Sequence, residues 1–344
     1  MTAPLRAGAR RALALGRTAA RAGSARAALL LARIEPPRLP LRVERGTAAL
    51  GPRVAVFCHF DPRGRLAEHV RRYIAALAEA GLSIVFTSNA GQLEDAALDW
   101  LRPRCAMIVL RRNTGLDFAA WRDGLAAAAL PRAETELLLL VNDSVYGPLS
   151  PLGPMLARMD FSAADVWGLT DSWQCRFHLQ SYLLAFGPRA FRSPGFNAFW
   201  KDVRDLRSKE AVIRAYEVGL TRAMLDAGLR CTALWPYTEL LAAVRDGFAE
   251  PDELPVAPLE AACLHHQRAV LHAAARRQPM NPTAELWRPL LSRGFPFLKR
   301  ELLRKNPAGV PDLAGWLDLA RAASPEAAEI ILHDLRGSLR GRAP

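Results

Sequence analysis

Cysteine is scarce and poorly placed for pairing. Cys58, Cys105, Cys175, Cys231 and Cys263 are odd in number and widely spaced, with no CxxC among them. That excludes a disulfide framework and a zinc ribbon, and it points to a reducing compartment. Long apolar runs are missing too. None reaches the ~18 residues of a membrane-spanning helix, and Leu29–Leu31 is too short for the core of a signal peptide. There is no GxGxxG turn and no Walker loop, and His59-Phe60-Asp61-Pro62 stands where a methyltransferase would need a glycine-rich turn. Lysine is nearly absent: Lys201, Lys209, Lys299 and Lys305 are the only ones among 46 basic residues. No internal repeat is visible.

What is present is a 344-residue chain, 51% apolar and 23% charged, with a formal net charge of +12. Such a chain holds a substantial core, as one large domain with appendages or as two domains. A basic balance suits nucleic acid, an anionic membrane or phosphate-bearing small molecules. The arginines are spread along the chain without interleaved aromatics, which ranks nucleic acid last. Residues 1–34 carry Arg6, Arg10, Arg11, Arg17, Arg21, Arg26 and Arg33 among Ala and Leu, and no acid precedes Glu35. This segment reads as a basic disordered arm, an amphipathic segment on an anionic membrane surface, or a transit peptide. Pro36, Pro37 and Pro40 then form a linker. The expected division is an arm and linker over 1–45, a catalytic domain over 46–250 and a helical extension over 251–344.

From Arg53 onward, short apolar strands alternate with helical periodicities. Strands are expected at Val54–His59, Ser83–Thr87, Ala106–Leu110, Leu137–Val141, Val166–Thr170, Ser181–Phe186 and Cys231–Leu234. Helices fall between them, around 66–77, 92–101, 118–130, 196–203 and 212–227. The order predicts an α/β fold with a mainly parallel central sheet, right-handed crossovers and helices on both faces. The sharpest segment is LLLLVNDSVYGPL over Leu137–Leu149. Its apolar run reads as a strand buried on both faces, broken abruptly by Asn142-Asp143-Ser144. Ligands of open α/β sheets bind just outside such strand ends.

Several clusters at these boundaries bear chemistry. His59 and Asp61 close the first strand and either contact a nucleotide or, for Asp61, cap the next helix. Arg111, Asn113, Gly115 and Asp117 join the third strand to a helix. Arg111 there faces a diphosphate, Gly115 admits a ligand to the backbone, and Asp117 meets a base or ribose, or the loop is a structural turn. Asn142, Asp143 and Ser144 offer oxygens to a diphosphate and its divalent ion, Mg²⁺ or Mn²⁺, with Asp143 as the metal ligand, or they form a turn cap. Asp171, His178 and Gln180 flank an aromatic segment suited to a sugar, His178 being a base or a structural histidine. Glu217 opens a helix, as a general base or as a first-turn acid favoured by the helix dipole. The segment Gly294–Leu303 is apolar and basic; it either meets the membrane, closes over an acceptor or packs on the main domain.

In order, CHFD, RNTGLDFAAWRDGL, LLLLVNDSVYGPL, VWGLTDSW with HLQSYLLAF, YEVGLT, and NPTAELW with GFPFLKRELLRKNP resemble the rhamnan synthesis F family of glycosyltransferases. The resemblance runs from about Val54 to Pro307. It implies a GT-A-like nucleotide-sugar fold, a dTDP-rhamnose donor, and a glycan or lipid-linked acceptor in polysaccharide synthesis. It also implies a cytoplasmic, peripheral position at the inner face of the cell membrane. By position it implies that Asp143 is the metal and diphosphate residue and Glu217 the base; on the residues alone, Asp171 is the second choice for that base. The chain departs from the usual two-acid motif in having Asn142-Asp143-Ser144, and Ala284-Glu285 depart from the expected bulkier pairing. The reading that competes is a non-catalytic carbohydrate-assembly partner with the same fold.

Overall fold

The computed structural model describes residues 37–248, 257–311 and 313–339. The readings of residues 1–34 lie outside them. The strands are β1 (Arg42–Arg45), β2 (Arg53–His59), β3 (Ser83–Ser88), β4 (Cys105–Leu110), β5 (Leu137–Asn142), β6 (Val145–Tyr146), β7 (Val166–Ser172), β8 (His178–Leu179), β9 (Leu183–Phe186), β10 (Cys231–Trp235) and β11 (Leu298–Lys299). The central sheet runs β1-β4-β3-β2-β5-β9-β7-β10, with β8 paired to β7. β2, β3, β4, β5, β7 and β10 point one way; β1 and β9 run against them. The expected α/β sheet, mainly parallel with helices on both faces, is what forms.

The continuous apolar runs have a direct cause: alternate side chains of each strand enter opposite cores. Ala55, Phe57, Ile84, Phe86, Leu139 and Val141 pack with Val70, Tyr73, Ile74 and Leu77 of helix α1 (Glu68–Glu79) and with Leu98 and Leu101 of α2 (Asp95–Leu101). Val54, Val56, Val85, Leu138 and Leu140 pack instead on Phe118, Trp121 and Leu125 of α3 (Leu116–Ala127) and on Phe196 and Trp200 of α4 (Pro194–Asp202). A third core holds Tyr146, Leu149, Trp287, Leu298, Leu302, Ile331 and Leu335 and joins the C-terminal segment to the sheet domain.

Two features depart from expectation. Arg42–Arg45, read above as linker, is an antiparallel edge strand on β4; its mostly exposed RVER pattern carries no apolar run to betray it. The C-terminal extension is helical, with α5 (Pro258–Ala275), α6 (Trp287–Ser292), α7 (Arg300–Lys305), α8 (Trp316–Ala323) and α9 (Pro325–Leu339), but it also returns a strand. β11 pairs antiparallel with β6, setting Leu298 opposite Tyr146 and Lys299 opposite Val145. Gly147 permits this approach: its φ is +132°, and a Cβ there would stand 2.5 Å from the Pro296 carbonyl oxygen.

Candidate active site

Because β9 is reversed, its first residues and the last residues of β2, β5, β7 and β10 share one edge of the sheet. There the Tyr182 carbonyl accepts from Asn142 N (3.2 Å) and the Cys58 carbonyl from Asp143 N (3.1 Å). Asn142 Nδ2 donates to Asp117 Oδ2 (2.8 Å), while Asn142 Oδ1 accepts from Ser144 N (3.1 Å) and Ser144 Oγ (2.5 Å). Asp117 also accepts from Cys58 Sγ (3.5 Å). Burial, then the nearby Asp143 charge, push the Asp117 carboxyl up to about 6.

Onto this turn the β6–β11 ladder lays two consecutive cations. Lys299 Nζ donates to Ser144 Oγ (2.9 Å) and lies 5.0 Å from the Tyr182 ring centroid. Its ammonium is held below the usual lysine range, mainly by burial, against the pull of Glu217 and Asp117. Arg300 Nη1 donates to the Asp143 carbonyl (2.7 Å) and to Asp143 Oδ2 (3.1 Å), and Phe60 N donates to the same oxygen (3.3 Å). Arg300 N donates to the Ser144 carbonyl (3.0 Å).

Beside it stands a second acid. Glu217 ends a π-helical turn, Ile213–Glu217, leading into a helix over Val218–Asp226. Glu217 Oε2 accepts from Ser181 Oγ (2.9 Å), and Oε1 lies 3.6 Å from His178 Nε2. The Arg176 carbonyl takes the other ring nitrogen, His178 Nδ1, at 2.8 Å. Burial opposes charge on His178, yet Glu217 and the Arg176 carbonyl outweigh it and raise the imidazole above 6.5. Burial likewise opposes charge on Glu217, and His178 outweighs it, leaving this carboxyl below 4.5. With both nitrogens engaged, His178 is arranged to position Glu217.

The remaining candidates are held elsewhere, each for a local reason. Arg111, expected to face a diphosphate, is 2% exposed. It donates to Asp123 (2.7 Å), Asp205 (2.7 Å), Asn89 (2.6 Å) and the Thr114 carbonyl (2.7 Å), so it cross-links the core. Gly115 (φ +71°) meets protein where a ligand was expected: a Cβ would lie 3.0 Å from Asp205 Cα. Asn113 is exposed on the same loop. Asp61 caps its own turn, accepting from Arg63 N (2.8 Å) and Arg65 Nη2 (3.2 Å). His59 is buried against Ser88 Oγ (3.0 Å). Asp171, buried, accepts from Tyr237 N (2.6 Å) at the start of the Tyr237–Asp246 helix, which removes it as an accessible base. Gln180 bridges Thr170 Oγ1 (2.7 Å) and Asn281 Oδ1 (3.1 Å), tying the NPT segment to β7.

For a divalent ion the donor set is thin. No group of three or more His, Cys, Asp or Glu converges among the described residues. Asp143 is the one carboxylate on the 142–144 turn, and its Oδ2 is already shared by Arg300 and Phe60 N. One carboxylate completed by substrate phosphates and water is the least that Mg²⁺ or Mn²⁺ accepts, and the site fits an ion to that extent.

Residues 84–246 match the family of rhamnan synthesis protein F. The match bears out the resemblance read from the motifs, over a shorter stretch than the motifs span. The virulence protein VirA of Vibrio anguillarum is 32% identical over 213 residues, covering 61% of this chain and 66% of VirA. The uncharacterised protein y4gN of Sinorhizobium fredii is 28% identical over 208 residues, covering 59% of this chain and 54% of that one. The chain thus spans less than two thirds of the length of these relatives. Among solved structures, a candidate nucleotide-diphospho-sugar transferase of Desulfovibrio desulfuricans is similar at a TM-score of 0.30 and 15% identity, over 65% of this chain and 97% of that one. The mannosyltransferase PcManGT of Pyrobaculum calidifontis, in complex with GDP-Man and Mn²⁺, is similar at 0.29 and 16%, over 95% and 92%. The α/β assignment here stands on the sheet itself.

The rhamnan synthesis F match runs from β3 to the Tyr237–Asp246 helix, so it contains Asp143, His178 and Glu217 but neither Lys299 nor Arg300. Sequence reasoning missed both cations as individual site residues, although it marked the Gly294–Leu303 segment that carries them and the His178–Tyr182 segment beside them. A signal existed: in a chain with four lysines, Lys299 adjoins Arg300 directly behind an aromatic, proline-containing run.

Proposed function

We propose that the chain is a glycosyltransferase that takes a nucleotide-sugar donor, in a GT-A-like arrangement, and adds its sugar to a glycan or lipid-linked acceptor. The observation that carries this reading is the meeting, at one sheet edge, of the Asp143 turn with its two cations and the Glu217–His178 pair. The first group suits a diphosphate leaving group, and the second suits a hydroxyl that must lose a proton. Glu217 takes the proton from the acceptor hydroxyl, and the hydroxyl oxygen attacks the anomeric carbon. The bond to the diphosphate oxygen breaks, and the departing negative charge meets the cations of the 142–144 turn. A divalent ion bound with the donor would have Asp143 as its protein carboxylate and would add Lewis-acid stabilisation of the diphosphate. The family supports rhamnose from dTDP-rhamnose as the sugar and surface polysaccharide as the product. The basic arm supports attachment to the inner face of the membrane, and no helix among the described residues is long and apolar enough to cross it.

The ion pair between Arg300 and Asp143 favours one other reading, a non-catalytic assembly partner that retains the fold with its acidic residue neutralised. Turnover separates the two. Purified protein is assayed with dTDP-rhamnose, UDP-sugars and GDP-sugars, in Mn²⁺, Mg²⁺ or EDTA, for wild type, Asp143→Ala and Glu217→Gln. Selective release of one nucleoside diphosphate, lost in both variants, is the expected result. Binding of no nucleotide sugar under any condition overturns the reading and leaves the assembly partner.

A further inference from the structure

The cations on the 142–144 turn carry an inference beyond the sugar-transfer reading, although it rests on that reading. Lys299 and Arg300 are neighbours in sequence, and both are half-buried, the Arg300 side chain being 18% exposed. Placing two like charges side by side at a half-buried strand end is costly unless anions answer them. The acids that face them are each engaged by other partners as well: Glu217 by Ser181 and His178, Asp334 by Tyr146, and Glu301 by Lys209. Asp143 is shared with a backbone N–H, and Asp117 is bonded to Asn142 and Cys58. Among the described residues, Lys299 Nζ hydrogen-bonds only a hydroxyl and otherwise lies over an aromatic face. Arg300 Nε is buried with no hydrogen-bond partner among the described residues, while its guanidinium lies 5.4 Å from the Tyr146 ring centroid. The arrangement therefore holds donors in reserve at the place where ligands of α/β sheets bind. An arginine fork beside a compact ammonium is a pairing suited to phosphate oxygens.

We propose that Lys299 and Arg300 are the diphosphate ligands of the donor, supplied by the β6–β11 ladder, and that they suffice to bind a nucleoside diphosphate without a divalent ion. The chain's own cations then take the place of the second acid and its metal charge. This explains why Asn142 and Ser144 stand where two-acid sites carry carboxylates. It also gives the C-terminal extension a part in the site, since without β11 neither cation reaches the turn.

The test is calorimetric titration of the full chain with dTDP, UDP and GDP, in EDTA and in Mn²⁺. The variants are Lys299→Met, Arg300→Met, Lys299→Arg and Arg300→Lys, with melting curves confirming that each is folded. Wild type is expected to bind one nucleoside diphosphate in EDTA. Each methionine variant is expected to bind about ten- to a hundredfold more weakly, as loss of a charge-assisted hydrogen bond implies, and the two charge-preserving variants are expected to recover most of that loss. Even if a methionine variant does not fold, the dependence of wild-type binding on EDTA still decides the second half of the proposal. Folded methionine variants that bind like wild type, or wild-type binding that requires Mn²⁺, overturn the proposal and leave the glycosyltransferase reading standing. Failure of wild type to bind any nucleoside diphosphate in either condition overturns both.

Discussion

At the scale of single residues, Glu217 and His178 set a pH dependence whose sign follows from their pairing. The imidazolium holds the Glu217 carboxylate as a partner and weakens it as a base. As pH rises through the elevated His178 pKa, above 6.5, the ring loses its proton and Glu217 is released. Transfer activity should therefore climb across that range, and His178→Asn should abolish the climb. Glu217→Gln should lower kcat by about a hundredfold to ten-thousandfold, the usual contribution of a general base, while donor affinity measured by calorimetry stays unchanged. A Glu217→Gln enzyme with wild-type turnover would remove it from the chemistry. Stability moves the other way. A raised folded pKa means that the pair's contribution is fully present below pH 6.5 and is lost as pH rises through the folded value.

At the scale of elements, the Arg111 network and the β6–β11 ladder separate scaffold from site. Arg111→Met leaves Asp123 and Asp205 with Arg122 alone as their shared cation. Breaking a buried pair costs about 3–5 kcal/mol when the remaining charge is left uncompensated, and Arg122 holds the loss here to the low end of that range. Denaturant titration should show that loss while donor affinity per folded molecule is retained; weakened affinity in the folded variant would return Arg111 to the site. Gly147→Ala should act oppositely, on binding more than on the sheet. The new methyl meets the Pro296 carbonyl at 2.5 Å in a backbone conformation at φ +132°. The variant should loosen β11 and weaken nucleotide binding, with the central sheet's circular dichroism preserved. The contrast also explains what the sequence disclosed. β2, β3, β4 and β5 were legible because each strand is buried on both faces and reads as an unbroken apolar run. Asp143 was legible because such a run ends there. Lys299 was not, because β6 and β11 are two-residue strands about 150 positions apart, too short to carry any periodicity. For Arg111, Gly115 and Asp171 the functional and the structural reading were inseparable for a related reason. A polar residue at a strand end looks the same in sequence whether it faces a ligand or a neighbouring loop, and Asp205 and Tyr237 lie far along the chain.

At the scale of the whole molecule, the sheet domain and the C-terminal segment meet at His69. Its ring, on α1, packs edge-on to Tyr146 at 5.0 Å, and Tyr146 Oη donates to Asp334 of α9 at 2.6 Å. Nearby, Arg72 reaches Glu326 (2.7 Å) and Ser324 (3.3 Å). Among the described residues neither His69 nitrogen has a hydrogen-bond partner, and Asp334 Oδ1 stays 3.5 Å from Nδ1. Burial, reinforced by the Arg300 charge and opposed by Asp334 and Asp143, pushes the imidazole down to about 4. The unfolded chain therefore takes up a proton near pH 6.5 that the folded protein refuses until about pH 4. A folded pKa depressed in this way gives stability that is present above 6.5 and lost as pH falls toward 4. A gap of about 2.5 between the two states corresponds to about 3 kcal/mol. His59, also lowered by burial, adds in the same direction, whereas His178 contributes no slope there because its share is complete below 6.5. His69→Phe should thus remove about 3 kcal/mol of the wild-type loss between pH 7 and pH 4, as read from urea midpoints at each pH. Because His69 lies on the contact that keeps β11 seated, wild-type nucleotide binding should fall over the same pH range and the phenylalanine variant should resist that fall. If the variant tracks wild type at every pH, the junction does not respond to acid through His69.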